Sequence, residues 1–128
     1  MTTGIVPGRR ETALRILCVD DDGLVLAVTA DLLRDLGHDV VEAAGGQDAA
    51  RTIACDNRFD MLVTDIHMPG GPSGQELARM ARDTRPDMRV IYFSGLGHVI
   101  PPDTRDAVLR KPCSLGELQQ AIDRTGSA

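Results

Sequence analysis

Short apolar runs that stop on polar residues alternate along this chain with stretches whose apolar positions recur at helical spacing. Arg15 to Asp20 (RILCVD), His38 to Ala43 (HDVVEA), Asp60 to Asp65 (DMLVTD), Met88 to Phe93 (MRVIYF) and Ala107 to Arg110 (AVLR) read as strands. Between the first two, Leu24 to Leu36 carries Val25, Val28, Leu32, Leu33 and Leu36 at helical spacing and is closed by Gly37 at a C′ position. Gln47 to Cys55 predicts a second helix with Ala50, Ile53 and Ala54 inward. Ser73 to Glu76 spells S-x-x-E, a capping-box pattern, and opens a third helix with Leu77, Met80 and Ala81 on its inner face. The pattern returns at Ser114 to Glu117 and starts a last helix carrying Leu118, Ala121 and Ile122.

Strands that alternate with helices imply an α/β fold, a parallel sheet covered on both faces. Right-handed crossovers leave few topologies for five strands, and the doubly wound, flavodoxin-like order 2-1-3-4-5 is a common solution. One region breaks the rhythm. Between Gly95 and Ala107 stand Pro101 and Pro102, which a regular helix does not hold in its interior, so the fourth helix is expected to be short or irregular. The opening residues 1–12, polar with Gly and Pro, read as a flexible arm, and 13–128 as one domain.

Composition narrows the picture. With 128 residues the chain can bury a core without staples, but aromatics make up only 2%, so that core must come from Leu, Val, Ile, Ala and Met. A net charge of −5 argues against direct nucleic-acid binding. Cys18, Cys55 and Cys113 have no metal-like spacing and fit thiols in a reducing cytoplasm. No apolar run reaches membrane-span length.

The chemistry lies in the residues that end the strands. The first strand ends in Asp20-Asp21-Asp22, the third in Asp65, the fourth in Ser94, the fifth in Arg110-Lys111-Pro112. Parallel strands gather their carboxyl ends on one edge, where ligands bind. Clustered carboxylates repel one another unless a cation compensates, and hard oxygen ligands of this kind suit Mg²⁺. Beside such a cation an aspartate can attack phosphorus, with Lys111 and the Ser94 hydroxyl placed for further phosphoryl oxygens. Asp22, by contrast, is expected to cap the first helix.

The motifs ILCVDDD, LVTDIHMPG, FSG and LRKP, in this order, resemble those of response-regulator receiver domains over nearly the whole chain. The resemblance implies a phosphoacceptor of two-component signalling and not an enzyme with turnover. A cytoplasmic histidine kinase or histidine phosphotransfer protein would be the donor, and another protein the target. It makes Asp65 the phosphoacceptor, Asp21 a direct Mg²⁺ ligand and Asp20 a ligand through water. The His67 main-chain carbonyl would complete the protein's share of the metal shell, its side chain pointing outward. Ser94 would be the switch hydroxyl and Lys111 the phosphoryl partner, followed by a cis peptide to Pro112. Gly95 would leave the acceptor accessible and offer its N–H to the phosphate.

Three features depart from the family. The loop MPGGPSG is a residue longer than usual, Val108 stands where an aromatic is common, and the segment from Ser94 to Lys111 is several residues shorter. The combination is similar to a group of small bacterial receivers without an output domain, which implies a stand-alone protein. A receiver module of a hybrid histidine kinase, working in a phosphorelay, is an alternative. So is a receiver that binds partners without phosphorylation, although the complete acidic set argues against it. A third is a haloacid-dehalogenase-type phosphatase, since VDDDGLV resembles its D-x-D-G motif with Asp20 as nucleophile and Asp22 as acid/base. That fold would want a further acidic pair after Lys111 and would leave Asp65 unexplained.

Overall fold

The structure, a computed structural model, describes residues 13–95 and 105–126. Five strands and four helices follow one another: β1 (Arg15–Val19), α1 (Gly23–Asp35), β2 (Asp39–Ala43), α2 (Gly46–Cys55), β3 (Met61–Asp65), α3 (Gly74–Thr84), β4 (Arg89–Ser94), β5 (Ala107–Arg110) and α4 (Leu115–Gly126). The strands form one parallel sheet in the order β2-β1-β3-β4-β5, the doubly wound topology expected. Two expectations, the flexible arm over 1–12 and the short or irregular helix between Gly95 and Ala107, fall wholly or largely outside the described residues.

Alternation along the central strands divides the core in two. Leu17, Leu62, Val90 and Tyr92 face α2 and α3, where they meet Ala49, Ile53, Leu77, Ala78 and Ala81. Ile16, Cys18, Met61, Val63, Ile91 and Phe93 face α1 and α4, against Leu26, Leu33, Leu118, Ala121 and Ile122. Both faces of β1, β3 and β4 are therefore dry, which is why their sequences read as continuous apolar runs. Each fully buried aliphatic side chain contributes roughly 1.5–3 kcal/mol over exposure.

The helix ends follow the expected chemistry. The Asp22 carboxylate accepts from the Leu24 and Val25 amides and caps α1. Gly37, at φ 97°, ends that helix with its N–H donating to the Arg34 carbonyl. Both capping boxes form, Ser73 with Glu76 and Ser114 with Glu117.

Two helix faces differ from expectation. On α1 the buried stripe is Leu26, Ala30 and Leu33, while Val28 is 53% exposed. The apolar arc of α1 is wider than its contact with the sheet, so Leu24 and Val28 are left over a shallow groove walled by Lys111, Pro112 and Cys113. On α2 Ile53 and the half-buried Ala50 pack on the core as expected, with Ala49 buried beside them, while Ala54 lies in solvent. The helix begins at Gly46, and its inner face is set by the approach of α3 rather than by the sheet alone.

Candidate functional site

At the carboxyl edge of the sheet the backbone brings four strand ends together. β1 pairs with β3, β3 with β4, and β4 with β5, so Asp20, Asp65, Ser94 and Lys111 leave neighbouring strands in turn. Asp20, Asp21 and Asp65 each offer a carboxylate oxygen, and these oxygens lie within 4.8 Å of one another. Lys111 Nζ donates to Asp20 Oδ2 at 2.7 Å and to Asp65 Oδ2 at 3.1 Å. One ammonium thus stands against three carboxylates.

The acids differ in environment. Asp20 is 4% exposed, and its other oxygen accepts from the Asp22 amide at 2.9 Å. Asp65 is partly open and Asp21 exposed, so the cluster has a dry floor and a wet mouth. Burial opposes the charge on Lys111, but the hydrogen bonds from its ammonium to Asp20 and Asp65 outweigh it. The lysine is raised above its ordinary value and stays charged. Just below, burial first and then the Asp20 and Glu42 carboxylates push the Cys18 thiol up to about 12.

The acceptor strand is held from several sides. The Ile66 amide donates to the Phe93 carbonyl and the Gly74 amide to the Ile66 carbonyl. A Cβ on Gly74 would stand 2.3 Å from the Asp65 carbonyl oxygen, so glycine lets the first turn of α3 close onto the end of β3. The Thr64 hydroxyl donates to the same Asp65 carbonyl at 2.9 Å. Met68 is buried and pins the following loop, while His67 is exposed beside the site, its side chain outward as expected.

Ser94, Gly95 and Lys111 lie at the ends of the next two strands. Ser94 is buried at the end of β4, and its carbonyl accepts from the Lys111 amide at 3.2 Å. Gly95 is exposed, and among the described residues a Cβ there would meet nothing within 4 Å. The Lys111–Pro112 peptide is cis, as expected. Asp22 spends its carboxylate on the α1 cap, which leaves the phosphatase alternative without its acid/base. Val108 pairs with Tyr92 across β4 and β5 and packs on the same core cluster, so the aromatic bulk comes from β4.

Sequence reasoning missed Thr64 and Gly74, which secure the backbone of Asp65, and the contacts of the α2 start with the loop after Asp65. A glycine four residues past the Pro69-Gly70 pair was the one available signal for Gly74.

The donor set fits a hard divalent cation. Three carboxylate oxygens converge, one of them exposed, with no sulfur or imidazole among them. No helix among the described residues is long and apolar enough to cross a membrane.

Comparison with known proteins agrees with this geometry. The family model described as "Response regulator receiver domain" matches residues 16–123. The response regulator receiver protein CpdR of Brucella abortus is 34% identical and is aligned over 86% of this chain and 94% of its own length. The gliding motility regulatory protein of Myxococcus xanthus is 37% identical over 87% of this chain, which spans only 15% of that protein. A crystal structure of a response regulator receiver protein from Sinorhizobium medicae superposes with a TM-score of 0.77 at 30% identity, covering 90% of this chain and 95% of that one.

Proposed function

The chain belongs to the response regulator receiver domain family of two-component signalling, and from that premise we propose that Asp65 is its phosphoacceptor. The observation that carries this reading is the convergence of three carboxylates and the Lys111 ammonium at one sheet edge, with Asp65 the acid of β3 that solvent can reach.

An Asp65 oxygen attacks the phosphorus of a phosphohistidine on a kinase or phosphotransfer protein. The P–O bond forms as the P–N bond breaks, and the electron pair leaves with the imidazole nitrogen, which then takes a proton from solvent. Lys111 holds the Asp65 rotamer from 3.1 Å and would pass to a phosphoryl oxygen once that group arrives. Ser94 and the Gly95 N–H would donate to two further oxygens. Asp21 and Asp65 would hold Mg²⁺ together with the His67 main-chain carbonyl, and Asp20 through a water. When bound, the ion supplies positive charge against the phosphoryl oxygens.

Transfer of Lys111 and Ser94 to the phosphoryl group biases a two-state equilibrium toward the form that binds a downstream protein. Water then hydrolyses the acyl phosphate, so the domain acts on itself without turnover of other substrates. We place it in the cytoplasm, with residues 13–128 as the receiver and 1–12 as an arm. The first reading is a stand-alone receiver, and CpdR, aligned over 94% of its own length, is a relative of that kind. The 15% share of the gliding motility protein supports the second reading, a module of a longer phosphorelay protein.

Intact-mass measurement with acetyl phosphate tests the assignment. One phosphoryl group should appear with Mg²⁺, map to Asp65, and vanish in Asp65→Asn. Undiminished uptake by that variant, or mapping to Asp20, would overturn it.

A further inference from the structure

The loop from Ile66 to Ser73 carries the His67 carbonyl, and its far end rests on the start of α2. Gln47 Nε2 donates to the Gly70 carbonyl at 2.9 Å. Gly46 is buried beneath Pro72, where a Cβ would stand 2.2 Å from the Pro72 oxygen. Facing it, a Cβ on Gly71 would come within 3.1 Å of the Gln47 amide nitrogen and Cγ. Gly70 itself adopts φ 82°, a conformation that favours glycine and keeps its carbonyl turned toward Gln47. Two missing side chains and one hydrogen bond therefore interlock the loop with the α2 terminus. At its other end the loop is tied by the Gly74 amide on the Ile66 carbonyl.

We infer that Gln47 is a positioning residue for the phosphoacceptor site: it clamps Gly70 so that the His67 carbonyl is in place before a divalent cation arrives. This rests on the reading of Asp65 and His67 given above. The loop is a residue longer than is usual in the family, and an added residue gives its backbone more conformations to lose. A brace outside the pocket removes that loss beforehand, so the ordering is not charged against metal binding. Gln47 touches neither acid nor phosphoryl group and acts only through the loop.

The test measures Mg²⁺ binding by calorimetry and acetyl-phosphate uptake in Gln47→Met, which keeps length and bulk but loses the donor. Loss of one such hydrogen bond should weaken Mg²⁺ binding about two- to ten-fold. Uptake at limiting Mg²⁺ should slow by the same factor and recover at saturating Mg²⁺, with the metal-free melting temperature lowered by no more than a few degrees. Gln47→Arg, which restores a donor, should recover most of the affinity in high salt. Gly46→Ala attacks the same lock from the other side. Alanine is the better helix former, so weaker Mg²⁺ binding there must come from the displaced loop. Wild-type Mg²⁺ affinity in Gln47→Met would overturn the inference, as would a lowered melting temperature with affinity intact. If the unaltered protein takes no phosphoryl group on Asp65, the functional reading fails, while the Mg²⁺ comparison still decides the role of Gln47.

Discussion

The two edges of the sheet carry charge in opposite ways. At the amino edge the charges are matched. Arg82 meets the fully buried Asp106 carboxylate at 2.6 and 3.3 Å and also donates to the Met88 carbonyl. Arg89 donates to the Ile122 carbonyl and the Thr125 hydroxyl, Arg85 pairs with Asp60, and Arg15 with Asp56. At the carboxyl edge, among the described residues, Asp20 and Asp65 share the ammonium of Lys111 while Asp21 adds a third carboxylate beside them. One edge is electrostatically closed and the other keeps an excess of negative charge. The closed edge holds the fold; the open one has room for a cation and a reaction. Removing a charge should therefore have opposite signs at the two edges.

The largest effect belongs to the closed edge. Arg82→Met takes from the buried Asp106 its charged partner among the described residues and removes a brace from the turn before β4. Breaking a buried pair on one side costs about 3–5 kcal/mol. Urea unfolding should show a loss of this order. A loss below about 1 kcal/mol would mean that the pair behaves like a surface bridge and that the edges do not differ as described.

At the open edge the sign reverses. Asp21→Asn removes one of three mutually repelling carboxylates without unpairing Lys111, so the metal-free protein should melt at a higher temperature than the parent. The same change removes a ligand. Mg²⁺ at a hundred times its Kd would stabilise the parent by about 2.7 kcal/mol, and Asp21→Asn should lose most of that gain. Thermal melts with and without Mg²⁺ read both effects. A lower melting temperature for metal-free Asp21→Asn would refute the repulsion argument.

The open edge was the more legible in sequence, for a physical reason. A parallel sheet places strand ends side by side, so the acid, hydroxyl and ammonium that end apolar runs can be assembled on paper. Gly37 and the two S-x-x-E patterns are equally local, and their caps form as read. The closed edge was not legible. Arg82 and Asp106 look like ordinary surface charges in a chain that is 26% charged, and only the fold brings them together. The Gln47–Gly70 brace was hidden likewise, since it needs a helix start and a distant loop to meet. Ala54, expected inward, lies in solvent, and Val28 of the α1 arc is exposed, because helical spacing fixes an apolar arc but not the part of it that a neighbour covers.

Cys18, which lies in the sheet two residues before Asp20, reports on both edges, and its response to Asp21→Asn is the smallest effect. Its thiol is buried and pushed up to about 12, so at pH 8 the native thiol stays protonated. Reaction with a thiol reagent must then pass through opening of the sheet, whereas the exposed Cys55 reacts directly. The ionisation also carries a sign. The unfolded thiol deprotonates near its ordinary value of 9.0 and the folded one near 12, so the contribution of Cys18 to stability is lost as pH rises across that window. At pH 8 it is intact, and the labelling rate follows the opening free energy alone. Arg82→Met should accelerate Cys18 labelling by orders of magnitude, while metal-free Asp21→Asn should slow it a few-fold. If Cys18 in the unaltered protein reacts as fast as Cys55, the sheet centre is open without unfolding, and neither edge controls it in the way its charges imply.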